Sequence, residues 1–203
     1  MENSNYKNGI KAILIGESGV GKTNLINVSV GLEFLEYTSS TYYNSFVEKM
    51  FIINNKKYTL HFWDTIGQEK FRPLTRIFFK DSKIVILVYD KTSKKSFAEL
   101  KYWYDEVKKS LGDNIILAVV GNKEDLDEEE VDEYEAREYA KNINAKFRMA
   151  SAKKNGKAFI SFLKELLVEY INKYKTDLDE YDDKIILDNE SYNNNIKKKK
   201  CCE

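Results

Sequence analysis

Cysteine is nearly missing from this chain. The two cysteines are Cys201 and Cys202, after the Lys197–Lys200 run, so the body has no thiols for a disulfide framework or a zinc cage, which suits a reducing compartment. A surplus of charge is missing too. Lys+Arg and Asp+Glu both number 33 and cancel, so no global field draws the chain to nucleic acid, and any strong basic feature must be local. Long apolar runs are absent: none approaches the roughly 18 residues of a membrane span, and the start MENSNYKNG lacks the apolar region of a signal peptide. A chain made and kept in the cytosol is expected. What remains, 203 residues with 42% hydrophobic content, suits one globular domain with an appendage.

Strand-length apolar runs rich in β-branched residues occur at Ile10–Ile15, Phe46–Ile53, Tyr58–Trp63, Ile84–Tyr89, Ile115–Val120 and Lys146–Ala150. Asn54-Asn55 reads as the turn of a hairpin between the second and third. Helical periodicity follows Gly21 and recurs at Ser93–Ser110, about Glu129–Asn142 and Lys157–Tyr174, the last with Ala158, Phe159, Phe162, Leu163, Leu166 and Leu167 on one face. The alternation predicts an α/β fold: a six-stranded, mostly parallel sheet with one antiparallel strand, helices on both faces, and ligand sites at the strands' carboxyl ends. Residues 1–175 read as the domain, with its core at 10–174. Residues 176–203, acidic, then Asn-rich, then basic, read as a disordered tail.

Where the first strand ends and a helix begins stands Gly16-Glu17-Ser18-Gly19-Val20-Gly21-Lys22-Thr23, with Asn24 next. Glycines at the first and sixth places let the backbone wrap a polyphosphate, so that successive N–H groups and the helix N-terminus point at it. Lys22 then reaches the outer phosphates and the Thr23 hydroxyl ligates Mg²⁺. An ordinary glycine turn is the plain alternative, and the full pattern at a strand-to-helix junction makes it the weaker one.

The base must be read by later loops, since kinases, ATPases and GTPases share this cradle. After the fifth strand come Asn122-Lys123-Glu124-Asp125, whose aspartate can accept from both N1–H and the exocyclic amine of guanine, donors that adenine does not present together. After the sixth come Ser151-Ala152-Lys153, where a backbone N–H can donate to guanine O6. Either stretch alone could be a solvated loop; together and in order they point to guanine. Between the phosphate loop and Asn122, Trp63-Asp64-Thr65-Ile66-Gly67-Gln68-Glu69 offers Asp64 to hold Mg²⁺ through water, Gly67 N–H to meet a γ-phosphate, and Gln68 to orient an attacking water.

With these motifs the chain resembles the Ras superfamily of small GTPases, and within it the Rab type, over roughly 10–174. Tyr58–Trp63, Lys70–Thr75, Phe78–Lys80 and Leu87–Thr92 look like the family's own signature stretches. The resemblance implies a P-loop GTPase (G domain) fold and a GTP-binding, GTP-hydrolysing switch that recruits effectors to membranes in vesicle trafficking. It implies GTP/GDP and Mg²⁺ as ligands and catalytic roles for Gln68, Lys22 and Thr41. Thr41 would join Thr23 on the metal, and Phe34 would flank guanine or ribose. Phe46, Trp63 and Phe78 would form the effector surface, core packing being the alternative for each. The implied partners are an exchange factor, an activating protein supplying an arginine, a GDP dissociation inhibitor or escort protein, and effectors at the two switches; no nucleic acid is expected.

The chain departs from the family pattern in two places. Tyr42-Tyr43-Asn44-Ser45-Phe46 follows Thr41 where Ile-Gly-Val-Asp-Phe is usual, which bears on effector identity. Ile66 replaces the usual alanine, setting a branched side chain beside Gly67 and Gln68. The lone His61, mid-strand, is read as structural. Lys197–Lys200 with Cys201 and Cys202 resembles Rab tails prenylated on paired cysteines, and two lipids, or one with a polybasic run, give stable anchoring on the cytoplasmic face of a membrane. The alternatives to a switch are a slow or non-hydrolysing GTP-bound scaffold and, weaker, a P-loop nucleotide kinase, which has no need of a guanine motif.

Overall fold

The computed structural model describes residues 9–36, 46–64, 78–154 and 156–174, with the main chain only at residue 64. Among these residues, β1 (Gly9–Ile15), β2 (Phe46–Ile53), β3 (Lys56–Asp64), β4 (Ile84–Asp90), β5 (Ile116–Asn122) and β6 (Lys146–Met149) form one sheet in the order β2-β3-β1-β4-β5-β6. Every neighbouring pair is parallel except β2 with β3. This is the predicted six-stranded sheet, and its order reverses at β1. In such sheets the crevice outside the carboxyl ends at the reversal is where ligands bind.

The central apolar runs are continuous because β1, β4 and β5 are covered on both faces; in β4 and β5 all seven residues are buried. The two-residue period of a strand sorts the side chains into two cores. Ala12, Leu14, Ile84, Ile86 and Val88 join Leu25 and Ile26 of α1 (Lys22–Ser29) and the buried stripe Phe159, Phe162, Leu163, Leu166 and Leu167 of the last helix, Lys157–Lys173. Burying each large side chain of that stripe stabilises the fold by roughly 1.5–3 kcal/mol. Ile13, Ile15, Val85, Leu87 and Tyr89 face the opposite core with Leu100, Trp103, Val107, Ala136 and Ala140.

The predicted helix at Ser93–Ser110 forms as two, α2 (Lys94–Ala98) and α3 (Leu100–Leu111). The break is local. Glu99 keeps right-handed helical angles, and the bonds from Glu99 N–H to Lys95 O and from Trp103 N–H to Glu99 O, each 3.2 Å, carry the spiral across it. The next helix, α4, spans Glu133–Asn142 and begins four residues later than the predicted start, because Glu130 and Val131 N–H donate to Lys91 O and hold that stretch as a loop. Asp132 then caps α4, accepting from Tyr134 and Glu135 N–H. The helix at Lys157–Lys173 is α5.

Asn54 and Asn55 both take positive φ, 49° and 63°, the pairing that a two-residue hairpin turn between twisted strands requires. The turn sets the register that brings His61 opposite Glu48. The imidazole lies edge-on to Phe46 at 5.0 Å and against Gly9, where a Cβ would meet the ring at 1.8 Å, and its Nε2 is 3.3 Å from Glu48 Oε1. Burial lowers its pKa from the usual 6.5, with the Glu48 carboxylate opposing. The folded state therefore takes up the proton less readily than the unfolded chain, so stability is present above pH 6.5 and is lost as pH falls below it. Urea titrations at pH 7.5 and 5.5 are expected to show a larger fall in midpoint for the parent than for His61→Gln. Equal falls would mean that His61 is not responsible.

Candidate functional site

The loop after β1 owes its shape to two close approaches. A Cβ on Gly16 would sit 2.1 Å from the Val88 carbonyl oxygen, and one on Gly21 would sit 2.3 Å from Asn122 Nδ2. Gly21 also has φ of 93°, open to glycine at little cost. The loop closes around Lys22, whose buried ammonium donates to Gly16 O at 2.9 Å and Glu17 O at 2.8 Å. Helix α1 begins there with no side-chain cap and no acidic residue in its first turn. A positive helix end beside a buried cation, with glycines keeping the backbone bare, fits the phosphates of a nucleotide.

Asn122 is the hub that joins this loop to the other two. It is 2% exposed; its Nδ2 donates to Val20 O at 2.8 Å and its Oδ1 accepts from Ala152 N–H at 3.3 Å. The amide is thus engaged with two backbones, and of the backbone donors in Ser151-Ala152-Lys153 it is Ala152 N–H that it takes. Asp125 is oriented by Ser151, whose hydroxyl donates to Asp125 Oδ1 at 2.5 Å and accepts from Lys154 N–H. Lys123 takes a left-handed φ of 65° and sends its ammonium to Asp90 Oδ2 at 2.6 Å. Asp90, buried at the end of β4, accepts from the N–H and hydroxyl of Thr92 with its other oxygen.

The structure therefore brings together Gly16, Val20, Gly21, Lys22, Asn122, Asp125, Ser151 and Ala152. Thr23 sits in the first turn of α1, and Asn24 beside it turns its side chain to Leu35. Phe34 is half-buried against the core that α1 and α5 share, and Lys153 pairs with Glu36. At the sheet's far edge Phe46 and Trp63, both half-buried, meet edge to face at 5.6 Å, with the Lys11 ammonium 4.9 Å above the Trp63 ring. Phe78 is half-buried next to the fully buried Phe79. Thr41, Ile66, Gly67, Gln68, Cys201 and Cys202 and the side chain of Asp64 lie outside the described residues.

Asp90, Leu35 and Glu36 carry contacts that motif reading assigned to no one. A signal for Asp90 exists: Asp-x-Thr-Ser after an apolar run is the spacing at which an aspartate accepts from the N–H two residues on. Leu35 acts through its backbone and leaves no such mark.

The Ras family model matches residues 11–195. The chain belongs to the Ras family. Among curated relatives, the Ras-related protein Rab-21 of Geodia cydonium is 40% identical over 161 residues, covering 77% of this chain and 70% of the relative. Human Ras-related protein Rab-21 is 42% identical over 146 residues, 71% of this chain and 65% of the relative. The putative ras-related protein Rab-5B of Dictyostelium discoideum is 33% identical over 170 residues, 84% and 79%. Within the family the chain is a Rab-type small GTPase, a GTP-hydrolysing switch of vesicle trafficking that binds guanine nucleotide with Mg²⁺. Rab-type switches work with exchange, activating and effector proteins at intracellular membranes. Among the described residues no helix is long and apolar enough to cross a membrane.

Proposed function

We propose that this Rab-type GTPase holds GTP or GDP across the loops that follow β1, β5 and β6, with phosphates on Gly16–Asn24 and guanine on Asp125. The observation that carries this is the Asn122 amide, which ties Val20 of the first loop to Ala152 of the last. The loop assigned to the phosphates and the loop assigned to the base are thereby tied through one side chain. Lys22 holds the outer phosphates, Asp125 accepts from guanine N1–H and the exocyclic amine, and Lys123 and Lys153 border the base. Thr23, Thr41 and, through water, Asp64 would hold Mg²⁺, which would supply neutralisation of phosphate charge when bound.

Gln68 orients the attacking water and Gly67 N–H contacts the γ-phosphate. Glu36-Tyr37-Thr38-Ser39-Ser40-Thr41 contains no arginine to act in cis. Unaided turnover of ~10⁻⁴ s⁻¹ and a ~10⁵-fold rise with an activating protein are the scale known for the small GTPase Ras. Ile66, a branched residue where the family has alanine and two positions before Gln68 in the sequence, is assigned a further lowering of the unaided rate. Single-turnover hydrolysis of GTP in Mg²⁺ buffer tests this: slow phosphate release is expected, faster in Ile66→Ala and faster still with an arginine-bearing activating domain. Rapid unaided hydrolysis, or equal turnover of ATP, would contradict it.

Membrane attachment is assigned to prenyl groups on Cys201 and Cys202, supported by the Lys197–Lys200 run beside them. Effector contact is assigned to Phe46, Trp63 and Phe78. Replacing both cysteines with serine is expected to move the protein to the soluble fraction of a cell lysate with its nucleotide binding intact. Persistence on membranes would mean a different anchor.

A further inference from the structure

The chain turns back on itself after α1. Gly31 N–H donates to Val28 O and Leu32 N–H to Asn27 O; three residues further on, Leu35 meets Asn24, three residues earlier in the helix. Residues 32–35 therefore run antiparallel to α1, back towards its N-terminal end and the phosphate loop. The last anchor is a two-way amide contact: Asn24 Nδ2 donates to Leu35 O at 2.9 Å, and Leu35 N–H donates to Asn24 Oδ1 at 3.1 Å. Asn24 is 7% exposed, whereas Leu35 is 50% exposed, so the segment owes this attachment to the asparagine rather than to burial of its own side chain. One residue on, Glu36 Oε1 lies 3.5 Å from Lys153 Nζ, on the loop that carries Ser151 and Ala152.

We propose that Asn24 is a positioning residue that sets how long the nucleotide stays bound, by fastening residues 32–36 as a strap between the phosphate loop and the base loop, with Glu36–Lys153 as its outer tie. The proposal rests on the reading that guanine nucleotide lies between those two loops. A strap joined to both blocks the side between them, and it carries Phe34 on its one half-buried position. A primary amide suits the anchor because it alone offers a donor and an acceptor, side by side, to one peptide's C=O and N–H. Alanine offers neither, and aspartate offers no donor. The outer tie joins two exposed side chains and contributes less, in a salt-dependent way.

The test is release of a fluorescent N-methylanthraniloyl-GDP from the Mg²⁺-loaded protein, chased with excess GDP. Asn24→Ala is expected to release it about tenfold faster, the scale of two lost hydrogen bonds, with association changed less than about twofold and with faster amide exchange at Leu35. Glu36→Gln, a surface change that leaves the core untouched, is expected to release it about two- to threefold faster and to lack the acceleration by KCl expected of the parent. Glu36→Gln decides the matter if Asn24→Ala does not fold. Release at the parental rate from variants that bind GDP normally would overturn the strap while leaving the nucleotide reading intact. A parent that fails to bind the GDP analogue would overturn both.

Discussion

Replacing Asp125 with asparagine is expected to weaken GTP and GDP binding by roughly 10²- to 10⁴-fold and to create binding of xanthosine nucleotides. A carboxylate accepting from two adjacent donors makes charge-assisted bonds worth about 1.5–3 kcal/mol each, and a site built around such bonds strongly rejects a partner that cannot complete them. The structure adds the reason for an inverted preference rather than mere loss. Ser151 donates to Asp125 Oδ1 and is itself fixed by Lys154 N–H. An asparagine there keeps its oxygen on Ser151 and presents its NH₂ to the base, where xanthine has an oxygen and guanine an amine. Equilibrium binding of fluorescent guanosine and xanthosine diphosphates checks this. Unchanged guanine affinity would remove Asp125 from the base site.

The second large effect is expected at Asn122 and differs in kind. Its amide binds Val20 O and Ala152 N–H, and it is 2% exposed. Asn122→Ala leaves a buried carbonyl and a long-range N–H without that partner, a penalty of about 1–3 kcal/mol for each group. Because the lost contacts run from loop to loop, affinity for GDP should fall roughly 10²-fold or more while the preference for guanine over xanthine stays as in the parent. Competition between guanosine and xanthosine diphosphates, run on both variants, separates the two roles. A changed base preference in Asn122→Ala would mean that this amide reads the base directly.

The two residues also show how far the sequence reaches. Asp125 and Asn122 were both legible as candidate site residues, because Asn-Lys-x-Asp after a buried strand is a local pattern. That Asn122 braces two backbones was not legible, since Val20 is 102 positions away and contributes a carbonyl that any residue has. The strands were legible for a similar reason: β1, β4 and β5 are buried on both faces, so their runs are continuous, and the Asn54-Asn55 turn announces itself by residue type. Helix boundaries were less so. The start of α4 is set by Lys91 O capturing Glu130 and Val131 N–H, contacts across 39 and 40 positions that leave no trace near Glu129. Asn24–Leu35 was missed on the same grounds.

The central claim, one guanine nucleotide held across three loops, is tested most directly by denaturing the freshly purified protein and identifying what it releases. The account predicts close to one equivalent of GDP or GTP per chain, retained through gel filtration in Mg²⁺ and lost when EDTA is present. Release of an adenine nucleotide, or of none from folded protein that also fails to take up added GDP with Mg²⁺, would contradict it.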